Sequence, residues 1–221
     1  MLTLETIAAG PVLTNAYLVA DSTTRQAVLI DAPMESFQWF MEKITTLHLE
    51  PRALWLTHTH WDHTADAAAL ADQLGIPVLV HPLDAYRLHN PNAHTVFPLP
   101  VHLDAVPIGG YIHHGDVLRV GNLRFEVRHV PGHTEGSVVF VEHAAGVVLC
   151  GDTLFAGSIG RTDLPGGDYD LLIASIRREL FSLPDEVVCY PGHLEATTIG
   201  QERRTNPFFQ AEDGLFHGGH R

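Results

Sequence analysis

Short apolar runs broken by turn residues dominate the chain. In the first third, residues 3–8 (TLETIA), 15–21 (NAYLVAD) and 26–33 (QAVLIDAP) are rich in β-branched and aromatic residues and separated by Gly-Pro and polar turns, which predicts strands. Residues 36–47 then change period. Phe37, Phe40, Met41, Ile44 and Leu47 recur at helical spacing, with Ser36 placed to cap the helix. RALWLTH (52–58) predicts another short buried strand. Residues 64–74 are Ala-rich and helical, with Gly75 as the stop. VLVH (78–81) closes this part as a strand.

The second half returns to strands: VLRV (117–120), LRFEVRHV (123–130), SVVFVEH (137–143) and GVVLCGD (146–152). Residues 168–181 predict an amphipathic helix, with Leu171, Leu172, Ile176, Leu180 and Phe181 on one side. EVVCYPGH (186–193) follows as a strand and turn, and residues 197–206 as a helix stopped by Pro207. Residues 89–115 carry prolines and glycines without a period and read as one long connection. Within it, FPLP (97–100) suits either the cover of a cleft or the edge of the domain. No boundary divides the chain, so residues 1–210 are expected to form a single domain. The expected class is α/β, two facing sheets with helices outside. Residues 211–221 are expected to be a flexible tail, with His217 and His220 as mere tail residues.

Composition narrows the function. The 221 residues are 45% hydrophobic, ordinary for a packed core, and carry a formal charge of −13. Lys43 is the only lysine. Nothing in this balance favours nucleic acid, which is held through clustered Lys and Arg. No run is long enough to span a bilayer, and the start MLTLETIAAG has no basic segment followed by an apolar block, so a cytoplasmic protein without a membrane partner is expected. Two cysteines, Cys150 and Cys189, each end an apolar run and read as buried thiols on strands. A ligand role for Cys150, two positions before Asp152, is the less favoured alternative.

The candidate chemistry lies at strand ends. LWLTHTHWDH (54–63) sets His58, His60, Asp62 and His63 just after an apolar strand. Chance would produce the pattern H-x-H-x-D-H in roughly 0.005 of shuffled sequences of this composition. Further ligands should come from other strand-to-loop junctions, and three positions qualify: His133 in VPGHTEGS, Asp152 in CGDTLF and His193 in YPGHLEA. Each follows an apolar run and sits beside glycine, which lets the backbone approach an ion. His48, His81, His89, His94, His102, His113, His114, His129 and His143 lack this context and read as ordinary; His129 belongs on its strand.

Taken together, THTHWDH (57–63), PGHTEGS (131–137), GDTLF (151–155) and PGH (191–193) resemble the metallo-β-lactamase superfamily, in order from about residue 10 to residue 208. The resemblance implies a four-layer αββα sandwich with the metal site at the edge between two mixed β-sheets. It also implies that His58, His60 and His133 hold one divalent ion. Asp62, His63 and His193 would hold a second, with Asp152 bridging. The ions would be zinc, although iron and manganese suit the same donors. Asp62 would also orient a hydroxide shared by the two ions.

GSIGRTDLPGGD (157–168) and NPFF (206–209) are similar to the glyoxalase II-like branch, whose members hydrolyse thioesters of glutathione. This chain looks like a short form without the branch's helical C-terminal domain. It has Leu194–Glu195–Ala196–Thr197 where those enzymes carry a tyrosine-containing stretch, so glutathione as the thiol stays open. The expected activity is a binuclear-metal thioesterase acting on a small-molecule thioester. The alternatives are a mononuclear-iron persulfide dioxygenase of the same fold, using His58, His133 and Asp152, and a lactonase. Arg161 either meets a substrate carboxylate or pairs with Asp163 or Asp168. The sequence does not fix the oligomeric state.

Overall fold

The computed structural model describes residues 1–95, 99 and 102–210. Most of FPLP, and the expected tail with His217 and His220, lie outside the described residues.

Two six-stranded sheets face each other. The first takes the order β1 (Leu2–Ala9), β2 (Thr14–Asp21), β3 (Gln26–Ile30), β4 (Glu50–Trp55), β5 (Val78–Val80) and β6 (Ile108–Tyr111). Its first three strands are antiparallel and the rest parallel, so it is mixed. The second contains β7 (Val117–Val120), β8 (Leu123–His129), β9 (Val138–Glu142), β10 (Val147–Gly151), β13 (Val188–Pro191) and β14 (Thr197–Thr198). It too is mixed, because β10 and β13 run parallel. A small hairpin of β11 (Leu154–Phe155) and β12 (Ser158–Ile159) stands apart.

The period-2 alternation of a strand explains the layering. Along β2, Ala16, Leu18 and Ala20 face an outer core, while Tyr17 and Val19 face the other sheet. On β4, Leu54 turns outward and Trp55 inward, where Trp55 packs against Phe125 and Phe140 with ring centroids 5.5 and 5.2 Å away. Both faces are covered, so β2 is buried along its whole length. The outer core of the first sheet is closed by α1 (Phe37–Thr46) and α3 (Ala67–Leu74), through Phe40, Ile44, Ala67 and Leu70. The outer core of the second is closed by α5 (Tyr169–Ser175) and α6 (Ile199–Thr205), through Leu172 and Ile199. This is the expected helix–sheet–sheet–helix sandwich.

Several local expectations are corrected. The helix expected over 64–74 is two: α2 (Trp61–Thr64) begins inside the histidine cluster, and the chain bends before α3. Ser36 occupies the cap position of α1 without capping it; Asp66 does so from across the fold, accepting from the Phe37 N–H at 2.9 Å. The connection 89–115 contains strand β6, and it is preceded by helix α4 (Ala85–His89). The helix after residue 168 ends in a π-helical turn, Ile176–Leu180, and a short helix, α7 (Pro207–Gln210), starts at Pro207 itself. Cys150 and Cys189 point together into the outer core of the second sheet, away from any ligand role.

Candidate metal centre

Five strand ends converge on one edge of the sandwich. From the first sheet, β3 delivers Asp31, and β4 delivers the segment that carries His58, His60, Asp62 and His63. From the second, β8, β10 and β13 lead to His133, Asp152 and His193. All seven predicted ligands meet there. Their donor atoms form three groups, each with all atoms within 4.8 Å of one another: His58, His60 and His133; His58, His63 and Asp152; and Asp62, His63 and His193. Asp152 links them, with Oδ1 3.3 Å from His63 Nε2 and Oδ2 3.4 and 3.6 Å from the Nε2 atoms of His193 and His133.

Hydrogen bonds outside the cluster fix how the rings face. His133 Nδ1 donates to the Arg161 carbonyl at 2.7 Å, and His63 Nδ1 donates to Asp31 Oδ2 at 2.7 Å. His58 Nδ1 meets Thr57 Oγ1 at 3.2 Å, and that hydroxyl donates in turn to Asp31 Oδ2. Once Nδ1 is committed outward, Nε2 is left to face the cluster as a bare acceptor. His193 is placed by its loop. Asn15 Nδ2 donates to the carbonyls of Pro191 and Leu194, and the Tyr17 hydroxyl donates to Pro191 at 2.6 Å. Gly192 is required here, because a Cβ would run into the Asp152 carboxylate and the His63 ring.

The donor set fits divalent ions. His58 Nε2 and His133 Nε2 lie 3.2 Å apart, a close approach of two ring nitrogens that a shared proton or a metal cation satisfies. Among the described residues, His63 Nε2 and Asp152 Oδ1 are buried without a hydrogen-bond partner. The ionisation of the cluster agrees. Burial, with His63 and His133 nearby, pushes the His58 imidazole well below its ordinary value. Burial, then His133, takes His60 down to about 3. Burial acts the same way on His63 and His193, but carboxylates override it. Asp152, Asp62 and Asp31 hold His63 well above the ordinary value, and hydrogen bonds to Asp152 and Asp62 bring His193 to about 9. Against its own burial, Asp152 is held well below the usual carboxylate range by His63 and His193. The two carboxylates thus attract protons onto neighbouring imidazoles, and a divalent cation can take those protons' place.

Three supporting residues escaped the sequence reading. Asp31 is buried in the left-handed region (φ 58°) and accepts the Thr57 N–H as well as His63. Thr14 donates to Asp62 Oδ2 at 2.8 Å. Asp84 is fully buried and accepts from the Thr59 and Gly136 N–H groups, the Thr134 hydroxyl and Arg87. It therefore ties the loop of His58 and His60 to the loop of His133. The only sequence signal was an aspartate ending an apolar run, which is clear for Asp31, weak for Asp84 and absent for Thr14. Arg161 pairs in bidentate fashion with Asp163, both bonds at 2.8 Å, and lines the cleft above the cluster. His129 sits on β8 and donates to the Glu135 carbonyl.

A family model described as the metallo-beta-lactamase superfamily matches residues 9–193. The chain belongs to this superfamily. It is 38% identical over 201 residues to hydroxyacylglutathione hydrolase GloC of Haemophilus influenzae, covering 90% of this chain and 93% of the relative. Among solved structures it resembles the BLEG-1 B3 metallo-beta-lactamase, with TM-score 0.87 and 35% identity over 94% of this chain and all of that one. It also resembles TTHA1623 in a di-iron-bound form, with TM-score 0.81 and 40% identity over 92% and 99% of the two chains. Superfamily and cluster together make this a metal-dependent hydrolase fold with a site for divalent ions. No helix among the described residues is long and apolar enough to cross a membrane.

Proposed function

We propose that the chain is a binuclear-metal thioesterase of the hydroxyacylglutathione hydrolase type. The observation that carries this reading is the completeness of two donor groups, His58–His60–His133 and Asp62–His63–His193, on either side of Asp152. The first group would hold one ion and the second another, with Asp152 shared. Two ions bound there supply a Lewis acid for a carbonyl and lower the pKa of water from about 15.7 toward about 7.

The remaining work falls to the chain. Asp62, whose Oδ2 is fixed by Thr14, would accept a hydrogen bond from the attacking hydroxide and aim it at the acyl carbon. The cleft above the cluster, about 530 Å³, has the size of a small-molecule site. Its walls hold the acyl group over the cluster and exclude bulk water. A thiolate leaving group has a pKa of about 8.5 and departs with little protonation, so no separate general acid is needed. Similarity to GloC supports the thioester reading.

The similarity to a di-iron protein keeps iron in view as the metal; the second reading is a persulfide dioxygenase, which would hold a single iron on His58, His133 and Asp152. The deciding experiment is elemental analysis of protein purified without chelator, followed by assays on a lactoyl thioester, a lactone, a β-lactam and a glutathione persulfide. About two ions per chain and thioester turnover are expected. About one iron per chain with oxygen consumption would replace this reading by the dioxygenase.

A further inference from the structure

Among the described residues, the cleft above the metal centre has two guanidinium groups in its walls, those of Arg87 and Arg161. Both guanidinium groups are already matched by carboxylates of this chain. Arg87 is buried, with Nη1 on Asp84 at 3.0 Å and Nη2 on Glu135 at 2.7 Å and the Pro165 carbonyl at 3.2 Å. Its charge is thus outnumbered by two carboxylates. Arg161 Nε and Nη2 are both taken by Asp163. This second pair is exposed and would open readily, but opening it leaves Asp163 beside any incoming carboxylate, so the Arg161–Asp163 pair still offers no net attraction. Lys43, the chain's one lysine, is on α1 and bonded to Glu5.

Apart from the side chains of the cluster itself, the rest of the wall is polar at Thr59, His94 and Thr95 and otherwise apolar or aromatic. Val12, Trp61, Pro91, Leu164 and Pro165 line it, together with Tyr86. Tyr86 is held rigidly: its hydroxyl donates to Glu135 at 3.2 Å, its ring lies 4.5 Å under the Arg87 guanidinium, and the edge of His94 meets it at 4.8 Å. Such a surface suits methylene and amide groups rather than carboxylates, whose burial without a partner is costly.

Resting on the thioesterase reading, we infer that the cleft selects thioesters with an uncharged thiol arm over those of glutathione, because both guanidinium groups in its wall are already neutralised. A glutathione thioester brings a pair of carboxylates and one ammonium to an acidic protein. A cysteamine-type arm, built of methylenes and an amide, brings no charge and presents only groups that the wall of Tyr86, Leu164 and Pro165 can take.

The test compares kcat/KM for lactoyl thioesters of N-acetylcysteamine and of glutathione on the protein as purified, alone and as the Asp163→Asn variant. The expected result is a preference of about tenfold for the N-acetylcysteamine ester. In Asp163→Asn, with Arg161 released, that preference should narrow by about threefold through a lower KM for the glutathione ester. Equal or faster turnover of the glutathione ester would overturn the inference and leave the thioesterase reading standing. An unchanged ratio in the variant would overturn the role given to the Arg161–Asp163 pair. Turnover of neither ester would overturn both the inference and the reading on which it rests.

Discussion

His63 and Asp31 are joined by a 2.7 Å hydrogen bond from Nδ1 to Oδ2, inside a site where both side chains are buried. The same carboxylate accepts the N–H and hydroxyl of Thr57, the residue just before His58. One side chain thus sets the orientation of ligand candidates from both donor groups. In Asp31→Asn an amide donor replaces one acceptor and opposes donors already there. Metal affinity should fall about 10- to 100-fold, read by competition with a chromophoric chelator. Unchanged affinity would show that His63 is oriented by packing alone.

His193 should separate the two metal positions. It belongs to the group with Asp62 and His63 and not to that of His58, His60 and His133. His193→Ala is expected to reduce bound metal from about two ions per chain to about one, with kcat on a thioester falling about 100-fold or more. Elemental analysis and a thioester assay on the same sample check this. Retention of both ions would remove His193 from the ligand set.

Asp84 is predicted to be the costliest single residue outside the cluster. Asp84→Ala strips partners from two buried N–H groups, a buried hydroxyl and the buried Arg87. Breaking a buried pair in this way costs about 3–5 kcal/mol, read as the shift in urea-unfolding free energy. Because Asp84 joins the His60 and His133 loops, metal affinity should fall in the same variant. A loss of stability without a loss of affinity would separate its two roles.

Acid should destabilise the fold through His81. Its ring is buried against His129, stacked at 4.2 Å with planes 11° apart. Burial, then His129 and His113, lowers its pKa to about 4. The unfolded chain takes up this proton near pH 6.5 and the folded one only near pH 4, so stability is complete above 6.5 and falls as pH drops through that window. The slope for this one group approaches about 1.4 kcal/mol per pH unit. His81→Gln should flatten the dependence of unfolding free energy on pH between 6.5 and 4; an identical slope would disprove the assignment.

The sequence was most informative where an apolar strand ran into a metal-binding residue type. His58, His133, Asp152 and His193 each follow such a strand, and the fold places all of them on one edge. The layered fold was legible for the same reason, since strands buried on both faces have few polar interruptions. What failed was short or distant. β6 is IGGY, four residues with two glycines, and it gains its strand conformation from pairing with β5. α4 has five residues, too few to show a period. Asp66 caps α1 across 29 positions, and Thr134 reaches Asp84 across 50. Such partners carry no local signature because each contact exists only after distant elements have packed.

The ligand candidates are divided between the sheets. His58, His60, Asp62 and His63 arrive from one, and His133, Asp152 and His193 from the other. Neither half of the sandwich contains the cluster by itself, and the His58–His133 approach at 3.2 Å spans the seam. A chain whose two halves have folded but docked a few ångströms out of place would keep most of its buried surface and have no competent site. Activity in this architecture is therefore a readout of correct assembly, and a stricter one than solubility or helix content.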